Sequence, residues 1–379
     1  MKQTDTIIVG AGISGLSLAY ELASTGQKVC VLDRNAAGRG ASWAAAGILP
    51  AVCRTENEHD DFERLRTHSW KMYPEWTQRI LGDSSIDPEY QATGGLHIAT
   101  SRGEMISLQV AASQWQSDGL RVQPVQSSEE AANYEPVLQS SWEQGNIIGG
   151  YFVPDECLVR PPLLLRALIE ANRKMGVAIE EGVEVHEWVR AAGNDRGRIT
   201  SLKTSAGEFA ADQFCIAGGA WSSQIGQELG LRFEIEPWRG QMVLFQSQPG
   251  LIRSVINEGP NYLAARKDGH ILAGSTVEEV GFDDSNTDEA INQLVQFAES
   301  LIPELKPSAV KKTWAGLRPG SGDGVPLIGR MNAYGNLFVS TGHFRSGVFL
   351  APATAQSLSQ LMLGKSPELD LGMFDPNRN

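Results

Sequence analysis

Apolar residues recur along the chain at two spacings. Ile7-Ile8-Val9 is a short continuous apolar run, of the kind carried by a strand buried on both faces, and residues 28–33 (Lys-Val-Cys-Val-Leu-Asp) form a second. Between them Ile13, Leu16, Ala19, Tyr20 and Ala23 fall at helical spacing. The order strand, helix, strand is a βαβ unit. Farther on, Phe62, Leu65, Tyr73, Trp76 and Ile80 predict a helix over 57–80. Pro74 is expected to kink or interrupt it, because proline lacks the amide and its ring strikes the preceding turn. Residues 94–99 and 150–153 read as strands, and 105–115 and 129–134 as helices. Pro161 and Pro162 suit the first turn of a helix that continues through 163–175 and stops at Gly176.

Short strands are predicted at 177–180, 183–189, 199–204 and 208–211. Residues 212–222 then run an apolar strand into paired glycines and a helix at 223–229, repeating the logic of the first strand–helix turn. From 234 to 307 the alternation has period two, at 241–245, 254–257, 261–265 and 270–273. That pattern predicts an antiparallel sheet, followed by an amphipathic helix at 290–301. The chain closes with a strand at 337–341 and a helix over 348–362, whose Leu350, Ala351, Ala355, Leu358 and Leu361 face inward. Pro352 falls in its first turn, where a missing amide is tolerated. Residues 366–379 read as a loose tail.

Composition narrows the class. A chain of 379 residues exceeds one ordinary core and predicts two domains. Hydrophobic residues at 41% and charged residues at 20% are ordinary for a soluble globular protein. The net charge of −13, with no lysine–arginine cluster, excludes nucleic acid and anionic membrane as partners. Cys30, Cys53, Cys157 and Cys215 form no C-x-x-C pair and no metal-ligand spacing, so no metal site is expected. Cys30 and Cys215 sit in apolar strands as buried thiols, and a reduced, cytosolic protein is expected. Met1 stands too close to the first strand for a signal peptide, and no apolar run reaches the ~20 residues that span a bilayer. His97, His186 and His270 are each isolated and read as ordinary surface or core residues.

The first turn carries specific chemistry. Gly10, Gly12 and Gly15 fit G-x-G-x-x-G between the strand and the helix, and Asp33 ends the second strand. One glycine permits the tight turn, the next lets backbone approach a pyrophosphate, and the third lets helix pack on strand. Phosphate charge then meets the amides and positive end of the helix, while the acid accepts hydrogen bonds from a ribose. The fold class expected is α/β: a Rossmann-type dinucleotide domain assembled from discontinuous segments, with a second domain built on a largely antiparallel mixed sheet. After Asp33, residues 34–50 are rich in small side chains, which let backbone approach something large and flat.

Three blocks make the chain resemble the D-amino-acid oxidase-like flavoenzymes: Gly10–Gly15 with Asp33; 42–49 (Ser-Trp-Ala-Ala-Ala-Gly-Ile-Leu); and 314–320 (Trp-Ala-Gly-Leu-Arg-Pro-Gly) with 342–354. Within that family the likeness is to the branch that oxidises glycine in thiamine biosynthesis. The resemblance implies FAD, bound non-covalently because no cysteine follows Cys215. It implies that Gly10, Gly12, Ile13, Ser14 and Gly15 hold the pyrophosphate, that Asp33 with Arg34 holds the ribose, and that Val183 lends backbone near the adenine. Ser42, Ala45, Ala46, Gly47 and Leu49 would line the flavin with Gly218, Trp221 and Gly316. His343, Phe344, Arg345, Ser346, Gly347 and Val348 would bring the final helix to its pyrimidine side, with His343 contributing backbone rather than acting as a base. Arg318 would clamp a substrate carboxylate, helped by Tyr262, with Arg345 nearby.

The reaction implied is hydride transfer from the α-carbon of a small amino acid (glycine, sarcosine or small D-amino acids) to flavin N5. Imine hydrolysis and reoxidation by O2 to H2O2 follow. The alternative is a D-amino-acid or N-methyl-amino-acid dehydrogenase that passes electrons to a quinone or other carrier. The chain departs from glycine-oxidising relatives at Gly259-Pro260-Asn261 and at Val277, positions that bear on the shape of the substrate cavity. By the same matching, 1–53, 151–225 and 312–365 form the FAD domain, and 54–150 and 226–311 the substrate domain. Members of the family often form homo-oligomers; no heptad or other interface signature is visible in this chain.

Overall fold

The computed structural model describes residues 2–53, 60–191, 197–306 and 309–378. The first strand, Lys2–Val9, lies between Val29–Asp33 and Gly207–Ile216, parallel to both. Ala178–Glu181 extends the parallel run beyond the second strand, and Leu337–Thr341 extends it beyond Gly207–Ile216. Leu327–Arg330 closes one edge antiparallel, and a meander, Val185–Arg190 and Ile199–Thr204, folds onto the start of Gly207–Ile216. The continuous apolar run is explained by this position. Ile8 packs among the helices Ile13–Ser24, Pro161–Lys174 and Gly347–Met362, while Ile7 and Val9 face the meander with Trp188, Leu202 and Phe209. Residues 207–216 form one strand rather than the two pieces predicted, because the first strand pairs with nearly its whole length.

A second sheet orders Val310–Ser321, Ile235–Phe245, Ile271–Gly274, Asn261–Ala265, Val255–Glu258, Gly95–Ala99, Gly149–Val153 and Gln123–Val125. Its pairs are antiparallel except Val255–Glu258 with Gly95–Ala99, which makes it a mixed sheet of the expected kind. Period-two alternation splits its faces. Val243, Phe245, Leu263, Ile271 and Ala273 bury against Leu294, Val295, Ala298 and Leu301 of the helix Asp288–Leu301. Met242, Tyr262, Ala264 and Leu272 face the other way, toward Ala46 and Ile48. The strand Val310–Ser321, not foreseen as a strand, runs the full length of Ile235–Phe245; Pro237 and Pro319 fall opposite each other in the pairing.

Two expectations are corrected. The helix over 57–80 is Asp61–Ser84, capped by the Asp60 side chain, and Pro74 does not interrupt it; residues 57–59 lie outside the described residues, as does the end of the alternating stretch at 307. Thr77 Oγ1 donates to the carbonyls of Tyr73 and Pro74. Ser69 Oγ and Tyr73 Oη donate to Phe349 O and Val348 O, both at 2.6 Å. Packing against the final helix thus offsets the roughly 3 kcal/mol an internal proline costs. Nor is the tail loose. Phe374 is fully buried. Arg378 binds Asp323 (2.8 Å) and Val325 O (2.6 Å), and Asn377 Nδ2 donates to Arg330 O. Cys30 and Cys215 are buried strand residues, as read. Among the described residues no helix is long and apolar enough to cross a membrane.

The buried ring at the tail sets a first expectation. Phe374→Ala should lower unfolding free energy by about 3 kcal/mol through the cavity it leaves. Chemical denaturation measures it; a variant as stable as the parent would show that the tail contributes nothing to the core.

Candidate active site

The glycine turn is shaped by close approaches. A Cβ on Gly10 (φ +116°) would lie 2.3 Å from Ala217 O, and one on Gly15 would lie 1.9 Å from Gly10 O. These two let strand, helix and the end of Gly207–Ile216 converge. At Gly12, a Cβ would find only Ser42 Oγ, at 3.4 Å, so the turn's outer face is bare backbone. The helix Ile13–Ser24 has no acidic residue in its own first turn, so its positive end is not offset from within the helix. The Ile13 amide donates to Ser42 Oγ (3.0 Å). Asp33 accepts from the Ala11 and Asn35 amides, each at 2.8 Å, and the Val183 amide donates to Asp33 O. Burial pushes the Asp33 carboxyl upward while the amide bonds and Arg34 pull it back. Arg34 stacks on Trp221 at 4.4 Å, and Trp221 meets Phe282 at 5.5 Å. Bare backbone at a helix N-terminus with a carboxylate beside it fits a dinucleotide.

Two segments face each other beyond this turn. The short helix Ala41–Ala44 abuts Val310–Ser321: a Cβ on Gly316 would strike Ala44 Cβ at 2.5 Å, and Trp314 Nε1 donates to Ala44 O. Gly47 (φ +81°) lies against Val159 O, and Leu49 pairs with Cys157. The predicted role of Gly218 has a competing cause, since a Cβ there would meet Ile225 at 2.5 Å. Opposite, Gly320 bridges His343, and Phe344 packs edge-on to Trp238. His343 is buried beside Thr354, and burial pushes its imidazole down to about 4, so the ring is neutral at pH 7 and a weak base. The final helix starts at Gly347 and Val348, after Ser346, without an acidic first-turn residue.

Arg318 stands on the face of the second sheet that looks toward these segments. Its guanidinium lies over Gly240, where a Cβ would come within 2.1–2.3 Å of it. Nη1 donates to Thr276 O (3.0 Å) and Arg239 O (3.4 Å), and Nη2 to Ser275 Oγ (2.8 Å). Among the described residues it has no carboxylate in ion-pair contact; burial, the largest influence, pulls its pKa down. Tyr262, 8% exposed, shares the face, with its hydroxyl 3.4 Å from Met242 Sδ. Burial raises the Tyr262 pKa, opposed by Ser275 and the charges of Arg318, Arg345 and Arg266. The structure therefore brings Arg318 and Tyr262 together, with Arg345 near and exposed. Pro260 is exposed, and Val277, 43% exposed, follows the Thr276 that holds Arg318. Trp238, Gly240, Met242, Ser275 and Thr276 went unpredicted. The first three share the face of Arg318 and Tyr262 through strand pairing, whose register no local pattern carries.

Residues 5–361 match the family model described as FAD dependent oxidoreductase (DAO). The chain is 34% identical to the glycine oxidase of Pseudomonas aeruginosa, over 98% of each chain. It is 29% identical to the bifunctional protein ThiO/ThiG of Trichormus variabilis, over 99% of this chain and 55% of that one. The crystal structure of glycine oxidase from Geobacillus kaustophilus superposes with a TM-score of 0.90 at 27% identity, covering 100% of both chains.

Two expectations issue from the site. Gly12→Ala should leave the melting temperature of cofactor-free protein unchanged yet weaken FAD binding at least about tenfold, whereas Gly15→Ala should cost the fold about 3 kcal/mol by overpacking. Flavin fluorescence and thermal melts separate the two; equal behaviour would refute the bare face at Gly12. The second concerns acid. Because the folded His343 pKa of about 4 lies below 6.5, the unfolded chain takes up this proton first as pH falls. Stability from this group is full above 6.5 and declines down to about pH 4, by about 3 kcal/mol in all. Denaturation midpoints across that window should fall less steeply for His343→Gln.

Proposed function

The chain belongs to the FAD dependent oxidoreductase (DAO) family, and from that premise we propose that it oxidises glycine to its imine, which water hydrolyses, with O2 taking the electrons as H2O2. The observation that carries this reading is the charge state around Arg318: a half-buried guanidinium held by two carbonyls and a hydroxyl, with no acid in ion-pair contact among the described residues. A planar cation so placed matches a carboxylate through a two-pronged contact that lysine cannot copy. FAD, when bound, supplies the acceptor for the hydride leaving the α-carbon.

We assign the remaining work to this chain's own residues. Arg318 takes the substrate carboxylate, and the Tyr262 hydroxyl is the second donor to it. Arg345 adds positive charge from the exposed side. Gly240 and Gly274 keep the sheet face low, and a Cβ on Gly274 would meet Met242 Sδ at 2.5 Å and Tyr262 Oη at 2.7 Å, which supports a site for a small molecule. Gly10, Gly12, Ser14 and Gly15 with the Ile13 amide would hold the pyrophosphate, Asp33 and Arg34 the ribose, and Val183 the adenine. Ser42, Ala45, Ala46, Gly47, Leu49, Gly218, Trp221 and Gly316 would surround the flavin. The segment His343–Val348 would present the positive end of the final helix, where reduction places negative charge. We place the seam between the dinucleotide and substrate parts at Val310–Ser321, which pairs with the second sheet and touches Ala44. We also place the reaction in thiamine biosynthesis, supported by the likeness to a ThiO/ThiG protein.

Mixing the purified holoprotein with glycine under anaerobic conditions should bleach the flavin band, and in air one peroxide should form per glycine consumed. Sarcosine, D-alanine and D-proline serve as comparators. Arg318→Lys should raise KM by about a hundredfold, the loss of one charged two-pronged contact. A flavin that stays yellow with glycine removes glycine as the substrate; bleaching without peroxide would favour a dehydrogenase using another acceptor.

A further inference from the structure

Four residues after Tyr262, the chain carries a buried guanidinium that the proposed reaction does not use. Arg266 is 8% exposed. Its backbone is tied to the next strand through the Arg266 amide and His270 O (2.8 Å). Its side chain leaves the sheet altogether. Nη2 donates to Ala46 O (2.8 Å) and Nη1 to Val159 O (3.2 Å). Ala46 belongs to the small-residue segment. Val159 follows the strand that pairs with it: the Val159 amide donates to Gly47 O (2.9 Å), and a Cβ on Gly47 would lie 2.1 Å from Val159 O. One guanidinium therefore joins three pieces of chain: the strand of Tyr262, the Ala45–Gly47 turn and the segment behind it.

We propose that Arg266 is a positioning residue for the cofactor: it fixes the distance between the flavin-facing backbone at Ala45–Gly47 and the sheet face that carries Tyr262 and Arg318. The proposal rests on the reading that Ala45, Ala46 and Gly47 face the flavin. An arginine suits the task because its rigid fork reaches two carbonyls in one plane, where a lysine ammonium can hold one well. The choice is costly unless it serves something, since both acceptors are neutral and burial pulls the Arg266 pKa down to about 10. Acids are near but directed elsewhere: Glu89 and Asp268 pair with Arg160. Their charges, shared with Arg160, offset that of Arg266 only in part, and Arg266 acts on Tyr262 along with Arg318 and Arg345.

The test compares Arg266→Met and Arg266→Lys with Glu135→Gln. Glu135 is a fully buried carboxylate under the same sheet that accepts from Ser254 Oγ and from the Arg253 amide, away from the flavin-facing segment. FAD affinity is read by flavin fluorescence, and the visible spectrum of the bound flavin and kcat and KM are read on the holoprotein. Expected for Arg266→Met is an FAD Kd raised at least about tenfold, for the Ala46 and Val159 carbonyls losing their donor, with an altered flavin band. Its kcat should fall while KM for glycine moves little, because the Arg318 clamp is intact. Arg266→Lys should lie between parent and Arg266→Met, and Glu135→Gln should lose melting temperature without moving Kd or the flavin band. Parental FAD Kd and spectrum in Arg266→Met overturn the proposal. If that variant is insoluble, Arg266→Lys decides: a raised Kd supports positioning, and a parental Kd overturns it. The FAD readouts need no amino acid, so a wrong substrate assignment would leave them standing.

Discussion

A half-buried guanidinium with no acid in contact among the described residues is the constraint around which the site is built. Arg318 is held by Thr276 O, Arg239 O and Ser275 Oγ, groups that orient it without cancelling it. Its neighbour shows the contrast. Arg239, buried to 4% exposure, pairs with Glu278 (2.6 Å) and Asp283 (2.7 Å). Gln241 Nε2 donates to Glu278 Oε1, and the Gln241 amide to Thr276 Oγ1. The acids of this region are thus committed to Arg239, and through the segment from Ser275 to Asp283 that commitment holds in place the carbonyl and hydroxyl on which Arg318 rests. A neutralised arginine and an available one thus stand on adjacent paired strands, with Arg239 opposite Leu317 and Arg318 opposite Trp238, and the available one, half-buried, is less screened than a surface charge.

The second sheet serves the core and the site at once because its side chains alternate. One face supplies Val243, Phe245, Leu263 and Ala273 to a helix-covered core. The other presents Trp238, Gly240, Met242, Tyr262 and Arg318 toward Ala44 and Ala46. Glycines at 240 and 316 are what let the arginine lie flat and the short helix come close. On the other side of that gap stand two helices without an acidic residue in the first turn, at Ile13 and at Gly347, whose positive ends suit the proposed sites for phosphate and for a reduced flavin.

Local pattern carried the dinucleotide half of the molecule. The run Ile7-Ile8-Val9, the three glycines and Asp33 announced a strand, a turn and an acid, and each stands where that order requires. Alternation from 241 to 273 announced the antiparallel sheet for the same reason: a strand between core and site must change character at every residue. Arg318 and Tyr262 could be picked out as chemistry from the blocks that contain them, but their shared face could not, since it depends on register between strands far apart in the chain.

What lay outside the reach of sequence was whatever depended on a partner distant in the chain. Pro74 passes through an unbroken helix because Ser69 and Tyr73 are bonded to the final helix. The tail is ordered by Phe374, Arg378 and Asn377, single contacts with no period to betray them. Ser275, Thr276 and Arg266 become significant only once folding sets them beside Arg318 and Ala46. The linear code by itself determined most strands and helices, though not the strand Val310–Ser321, and that a dinucleotide turn is present, because those follow from periods of two and 3.6 and from backbone space at glycine. Which charges are cancelled and which remain free was decided by tertiary structure alone, because Coulombic pairing depends on distance in space and not along the chain.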